Sequence, residues 1–108
     1  MDKAEVRGLL DREIAALREL SYSELCTRIP EKRRRFLFID IVDALQMRTH
    51  DVVADSGTAY QVESMVMWDG RAGEAVRVIV AIDDGRRSAF APMTDSFVLA
   101  PDGRFLGE

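Results

Sequence analysis

The feature that most constrains this chain is a change in hydrophobic period near His50. Before it, apolar residues recur at three- and four-residue steps. Val6, Leu9, Leu10, Ile14, Leu17 and Leu20 fall on one stripe of a helix. After it, they alternate. Tyr60, Val62, Val66 and Trp68 interleave with Gln61, Glu63, Met65 and Met67, and Val76, Val78, Val80 and Ile82 interleave with Arg77, Ile79 and Ala81. An alternating run is a strand with one face more deeply buried than the other. Helices first and strands after them define an α+β class rather than alternating α/β.

Local signals place the boundaries. Asp2 is an N-cap candidate, and Glu5 three residues later makes a capping-box-like pair. Gly8 costs about 1 kcal/mol inside a helix relative to alanine, so it is a candidate for close approach by another element. Ser21-Tyr22-Ser23-Glu24 is a second capping box and predicts a short helix to about Arg28, which Pro30 ends. Residues 31–47 are ambiguous. Phe36-Leu37-Phe38-Ile39 alone suits a buried strand. On a helical wheel, however, Leu37, Phe38, Ile41, Val42, Ala44 and Leu45 share a face opposite Asp40 and Asp43. The expectation is a helix from about Glu31 to Met47.

Beyond it, Val52-Val53-Ala54 reads as a short strand. Turns are expected at Asp55-Ser56-Gly57-Thr58, at Asp69-Gly70 through Gly73, at Asp83-Asp84-Gly85-Arg86 and at Pro101-Asp102-Gly103. Strand is expected at Ser88 to Ala91 and Ser96 to Ala100, interrupted at Pro92, with a small terminal strand at Arg104-Phe105-Leu106. Short connections imply antiparallel neighbours. The expected architecture is a single domain over residues 1–108. Its helical part, 1–47, packs on a four-stranded antiparallel β-meander, 48–108. This two-layer shape is similar to cystatin-like and nuclear-transport-factor-like folds, an architectural likeness that implies no function.

Ala81-Ile82-Asp83-Asp84-Gly85, Ala89-Phe90-Ala91-Pro92-Met93-Thr94-Asp95-Ser96-Phe97 and Ala100-Pro101-Asp102-Gly103 carry one resemblance. This C-terminal half, from Thr58 to Glu108, resembles small bacterial α+β proteins to which no function is assigned. The resemblance implies no reaction and no site residue.

Charge and composition narrow the function classes. The single cysteine, Cys26, precludes an intramolecular disulfide, and its apolar neighbours Leu25 and Ile29 point to a buried, inert thiol. No apolar run approaches the ~20 residues that span a bilayer, and the charged N-terminal residues lack a signal-peptide core, so a cytoplasmic protein with no membrane contact is expected. Residues 49–108 carry ten acidic and five basic side chains. Such a surface repels phosphate, which argues against nucleic acid.

No catalytic motif, metal-ligand spacing or cofactor motif appears, so no catalytic residue, metal or cofactor is assigned. Three candidate sites remain. Tyr60, Trp68 and His50 would line a small-molecule pocket between helix and sheet. The run Lys32-Arg33-Arg34-Arg35 would contact an anion or an acidic protein partner, and it balances the acidic half if solvated. Met65, Met67 and Ile79 lie on the opposite sheet face and would form a dimer surface. The expected function is a non-enzymatic interaction domain that homodimerises through an apolar sheet or helix face. The alternative is a small-molecule binding domain or minor enzyme. Asp83-Asp84-Gly85 is read as a turn rather than a cation site, and His50-Asp51 as strand neighbours that point apart.

Overall fold

The computed structural model describes residues 2–29, 48–84 and 92–108, and the backbone of 34–36 and 39–41. Among the described residues, two helices, α1 (Lys3–Arg18) and α2 (Tyr22–Cys26), precede seven strands. Strands β1 (Arg34–Phe36) and β2 (Ile39–Ile41) form a separate two-stranded pair. Strands β3 (Arg48–Val53), β4 (Ala59–Trp68), β5 (Val76–Asp83), β6 (Met93–Leu99) and β7 (Phe105–Leu106) form one antiparallel sheet in sequence order. The α+β class and the meander are as expected. The strand count is five rather than four, because Phe105–Leu106 pairs with Val98–Leu99.

The helix expected over Glu31 to Met47 is corrected: Arg34–Phe36 pairs antiparallel with Ile39–Ile41. The β-branched Ile39 and Ile41 and the aromatic Phe36 favour strand. A run of four cations at a helix start would also oppose the helix dipole. The helical part therefore closes at Cys26 within the described residues. The strand expected at Ser88 to Ala91 and the turn at Gly85-Arg86 lie outside the described residues. So do Lys32 and Arg33, and the side chains of Arg34 and Arg35.

Capping follows the sequence in part. The Asp2 carboxylate accepts from the amides of Ala4 and Glu5 at 3.0 and 3.1 Å. Ser21 and Glu24 form the full reciprocal box at the start of α2. Glu5 does not close a box on Asp2; its carboxylate is used by the sheet instead. Gly8 is not a close-approach residue, since a Cβ there would meet nothing within 4 Å. The β3–β4 turn depends on Gly57, whose φ of 88° favours glycine.

Alternation divides the sheet into two faces. Tyr60, Val62, Val66, Val76, Val78, Val80, Ile82, Phe97 and Leu99 are buried on the inner face. Val6, Leu10 and Leu17 of α1 and Leu25 of α2 are buried with them in one core. The space between helix and sheet is thus filled by aliphatic side chains together with Tyr60 and Phe97. Cys26 is half-buried at the edge of this core rather than fully buried. The molecule measures 41 × 37 × 20 Å, a flat slab.

Candidate functional site

The helix is clamped to the sheet along both flanks by polar side chains. On one flank, Tyr60 Oη donates to Glu5 Oε2 at 2.6 Å, and His50 Nε2 lies 3.2 Å from Glu13 Oε1. On the other, Arg7 Nη2 donates to Asp95 Oδ2 at 2.8 Å, and Arg18 donates to the Glu108 carboxylate through both terminal nitrogens. Sequence reasoning missed Glu5, Glu13, Arg7, Arg18, Asp95 and Glu108 as positioning groups. The available signal was the charge on either side of the α1 apolar stripe. Their partners lie too far along the chain to be identified from it.

Among the described residues, an open cleft of about 690 Å³ lies at the start of α1, lined by Asp2, Glu5, Ser56, Thr58, Tyr60 and Asp84. Hydrogen bonds from Ser56 and then Tyr60 hold the Glu5 carboxyl below its ordinary value. The Glu5 carboxylate, with burial second, pushes the Tyr60 phenol up to about 12. Both shifts run away from neutrality. A general acid or base works best with its pKa near the operating pH, so this pair is suited to holding α1 rather than to moving protons. Among the described residues, no group of three or more His, Cys, Asp or Glu side chains is placed to hold a metal ion.

The three residues read as a pocket lining are not brought to one place. Tyr60 and Trp68 are eight residues apart on β4, about 26 Å along an extended strand. Trp68 packs, half-buried, against the core, and Tyr60 is 2% exposed. His50 sits across from Val62, diagonal to Tyr60, and its imidazole is turned to Glu13. Asp51, its neighbour, falls on the opposite face, as alternation requires.

Met65, Met67 and Ile79 do come together. Register sets Met65 directly opposite Ile79, and Met67 opposite Arg77, on the outer face of the sheet. The same register adds Val98, opposite Arg77, and Leu106, opposite Val98. Met65, Met67, Ile79 and Val98 are half-buried, and Leu106 is 41% exposed. Arg77 lies among them, but its guanidinium is drawn to Asp69, with Nη2 3.0 Å from Oδ1. The result is an apolar band crossing β4, β5, β6 and β7 on the face away from α1. Val98 and Leu106 were not singled out from sequence, because their membership depends on cross-strand register.

No described helix is long and apolar enough to cross a membrane. Comparison with known proteins matches no family model, no curated protein and no solved structure.

Proposed function

We propose that this chain is an interaction domain that associates with a second copy of itself through the outer face of its sheet. The observation that carries the reading is the distribution of apolar side chains between the two faces. The inner face is filled by α1 and α2, while Met65, Met67, Ile79, Val98 and Leu106 remain grouped on the outer one. Two sheets that pack face to face need such a band on each, and a two-fold axis lets one band serve both. Five strands at about 4.8 Å spacing, with β4 about 33 Å long, make a face on the scale of the roughly 800 Å² that each partner gives to a standard interface. Methionine suits this role because its unbranched side chain adapts to an opposing surface.

The filled inner face is why a pocket between helix and sheet is the weaker reading. The test is size-exclusion chromatography with light scattering on the native protein, on Met65→Lys and on Ile79→Lys. The native protein should run as a dimer and both variants as monomers with unchanged circular dichroism. Variants that remain dimeric would refute the outer face as the contact. A monomeric native protein would refute self-association.

A further inference from the structure

The outer face of the sheet is polarised along its strands. Register sorts its side chains into rows that cross the sheet. The central row is Met65, Ile79 and Ser96. On one side of it lie Glu63, Ala81 and Thr94, and beyond them Asp51, Gln61 and Asp83. On the other side lie Met67, Arg77, Val98 and Leu106. No described outward position in the first two of these flanking rows is basic, whereas the last one carries a guanidinium. Glu63 and Arg77 are both half-buried, each with an apolar residue of the central row beside it. Arg77 holds Asp69 side-on, with Nε at 3.1 Å and Nη2 at 3.0 Å from the same oxygen, Oδ1. A guanidinium has five N–H donors, so this pair does not exhaust it.

Two sheets related by a two-fold axis and packed face to face have that axis in the plane between them. The axis then runs either along the strands or across them. Sheets pack about 10 Å apart and neighbouring strands lie about 4.8 Å apart. An axis along the strands, between β4 and β5, sets Glu63 about 11 Å from Glu63 of the second copy, backbone to backbone. It sets the two copies of Arg77 equally close. An axis across the strands, on the Met65–Ile79 row, keeps the same separation of about 11 Å but sets Glu63 opposite Arg77 of the second copy, twice over. A glutamate and an arginine side chain together span that gap. Both arrangements bury Met65 and Ile79, so the charges decide between them. Like charges brought together at an interface are costly, and opposite ones fix register.

We infer that the second copy lies with its strands antiparallel to those of the first, its two-fold axis crossing β4 and β5 at Met65 and Ile79, and that Glu63 of each copy pairs with Arg77 of the other. This arrangement rests on the outer-face contact proposed above and adds its orientation. It makes Glu63 and Arg77 the residues by which the face selects another copy of itself in one direction. Asp51, farther along the strands, then lies toward the end of the partner that carries Arg77, away from the partner's own Asp51.

Sedimentation equilibrium of the native chain, Glu63→Arg, Arg77→Glu and the double variant is the test. Each single variant sets two like-charge contacts in place of two ion pairs and should weaken the dimer by about tenfold or more. The double variant exchanges the charges and should dimerise within a few-fold of the native chain, which also shows that neither position is needed for folding. With an axis along the strands, Glu63→Arg would instead replace one like pair by another and leave the dimer unchanged. A native dimer whose single variants associate equally well overturns the orientation while leaving the outer-face contact standing. So does a double variant no better than either single one. A monomeric native chain overturns both the contact and its orientation.

Discussion

At the scale of single residues, the contact between Tyr60 and Glu5 decides how the start of α1 meets the sheet. The signs of its two shifts define a pH window. Glu5 titrates below its ordinary value of 4.5 in the folded protein, so it adds stability above that pH. That contribution is lost as pH falls through the lowered folded value. Tyr60 titrates at about 12 instead of 10, so its contribution is present below pH 10 and lost as pH rises toward 12. Glu5→Gln should therefore bring the Tyr60 phenolate transition back toward 10, as followed by ultraviolet absorbance in the Tyr22→Phe background. An unmoved transition would mean that burial alone sets the phenol. Gly8→Ala makes a second test. The added methyl meets nothing within 4 Å, so helix propensity should raise stability by about 0.5–1 kcal/mol in urea unfolding. Asp2 was legible as a cap because its partners lie two and three residues away. The role of Glu5 was not, since its spacing from Asp2 also fits a local box and Tyr60 lies 55 residues on.

At the scale of elements, stability is concentrated where helix meets sheet. Leu10 is fully buried between α1 and the strands, and Leu10→Ala should cost about 2–5 kcal/mol in chemical denaturation. Ser21→Ala removes the acceptor for the Glu24 amide and should cost about 1 kcal/mol, because α2 is only one turn longer than its cap. The helix α1 and the strands β4 and β5 were readable because each carries a sustained period and a turn or cap at its ends, and α2 because Ser21 and Glu24 form a capping box. The segment containing β1 and β2 was misread for a physical reason. Three-residue strands present too few side chains for alternation to show, and Ile41-Val42 broke what little there was. The helical wheel therefore fitted better than the actual pairing of Arg34 with Ile41. β7 was readable only as a possibility, because its two residues are defined by pairing with Val98 and Leu99 rather than by a pattern of their own.

At the scale of the whole molecule, the chain is flatter than its length requires. Its radius of gyration is 15.3 Å, against about 13 Å for a compact domain of this size. One helical layer on one sheet accounts for the 20 Å thickness and leaves an apolar band without a described helix across it. Charges on both flanks of α1 hold the inner layer in place: acidic groups meet β3 and β4, and basic groups meet β6 and the segment after β7. The two faces of the sheet were legible from alternation, and so was the apolar character of Met65, Met67 and Ile79. The continuity of the band was not, because Val98 and Leu106 join it only through a register that no single strand encodes. Of Tyr60, Trp68 and His50, register sets Tyr60 and His50 diagonally on neighbouring strands, while Trp68 lies about 26 Å from Tyr60 along β4, because a shared face does not bring together residues so far apart on one strand. Self-association through the outer face is the central claim, and sedimentation equilibrium of the native protein at micromolar concentration tests it most directly. The account predicts a mass about twice the 12.2 kDa of one chain, reduced to that of one chain by Ile79→Lys. A native protein that sediments as a single 12.2 kDa species across that range would contradict it.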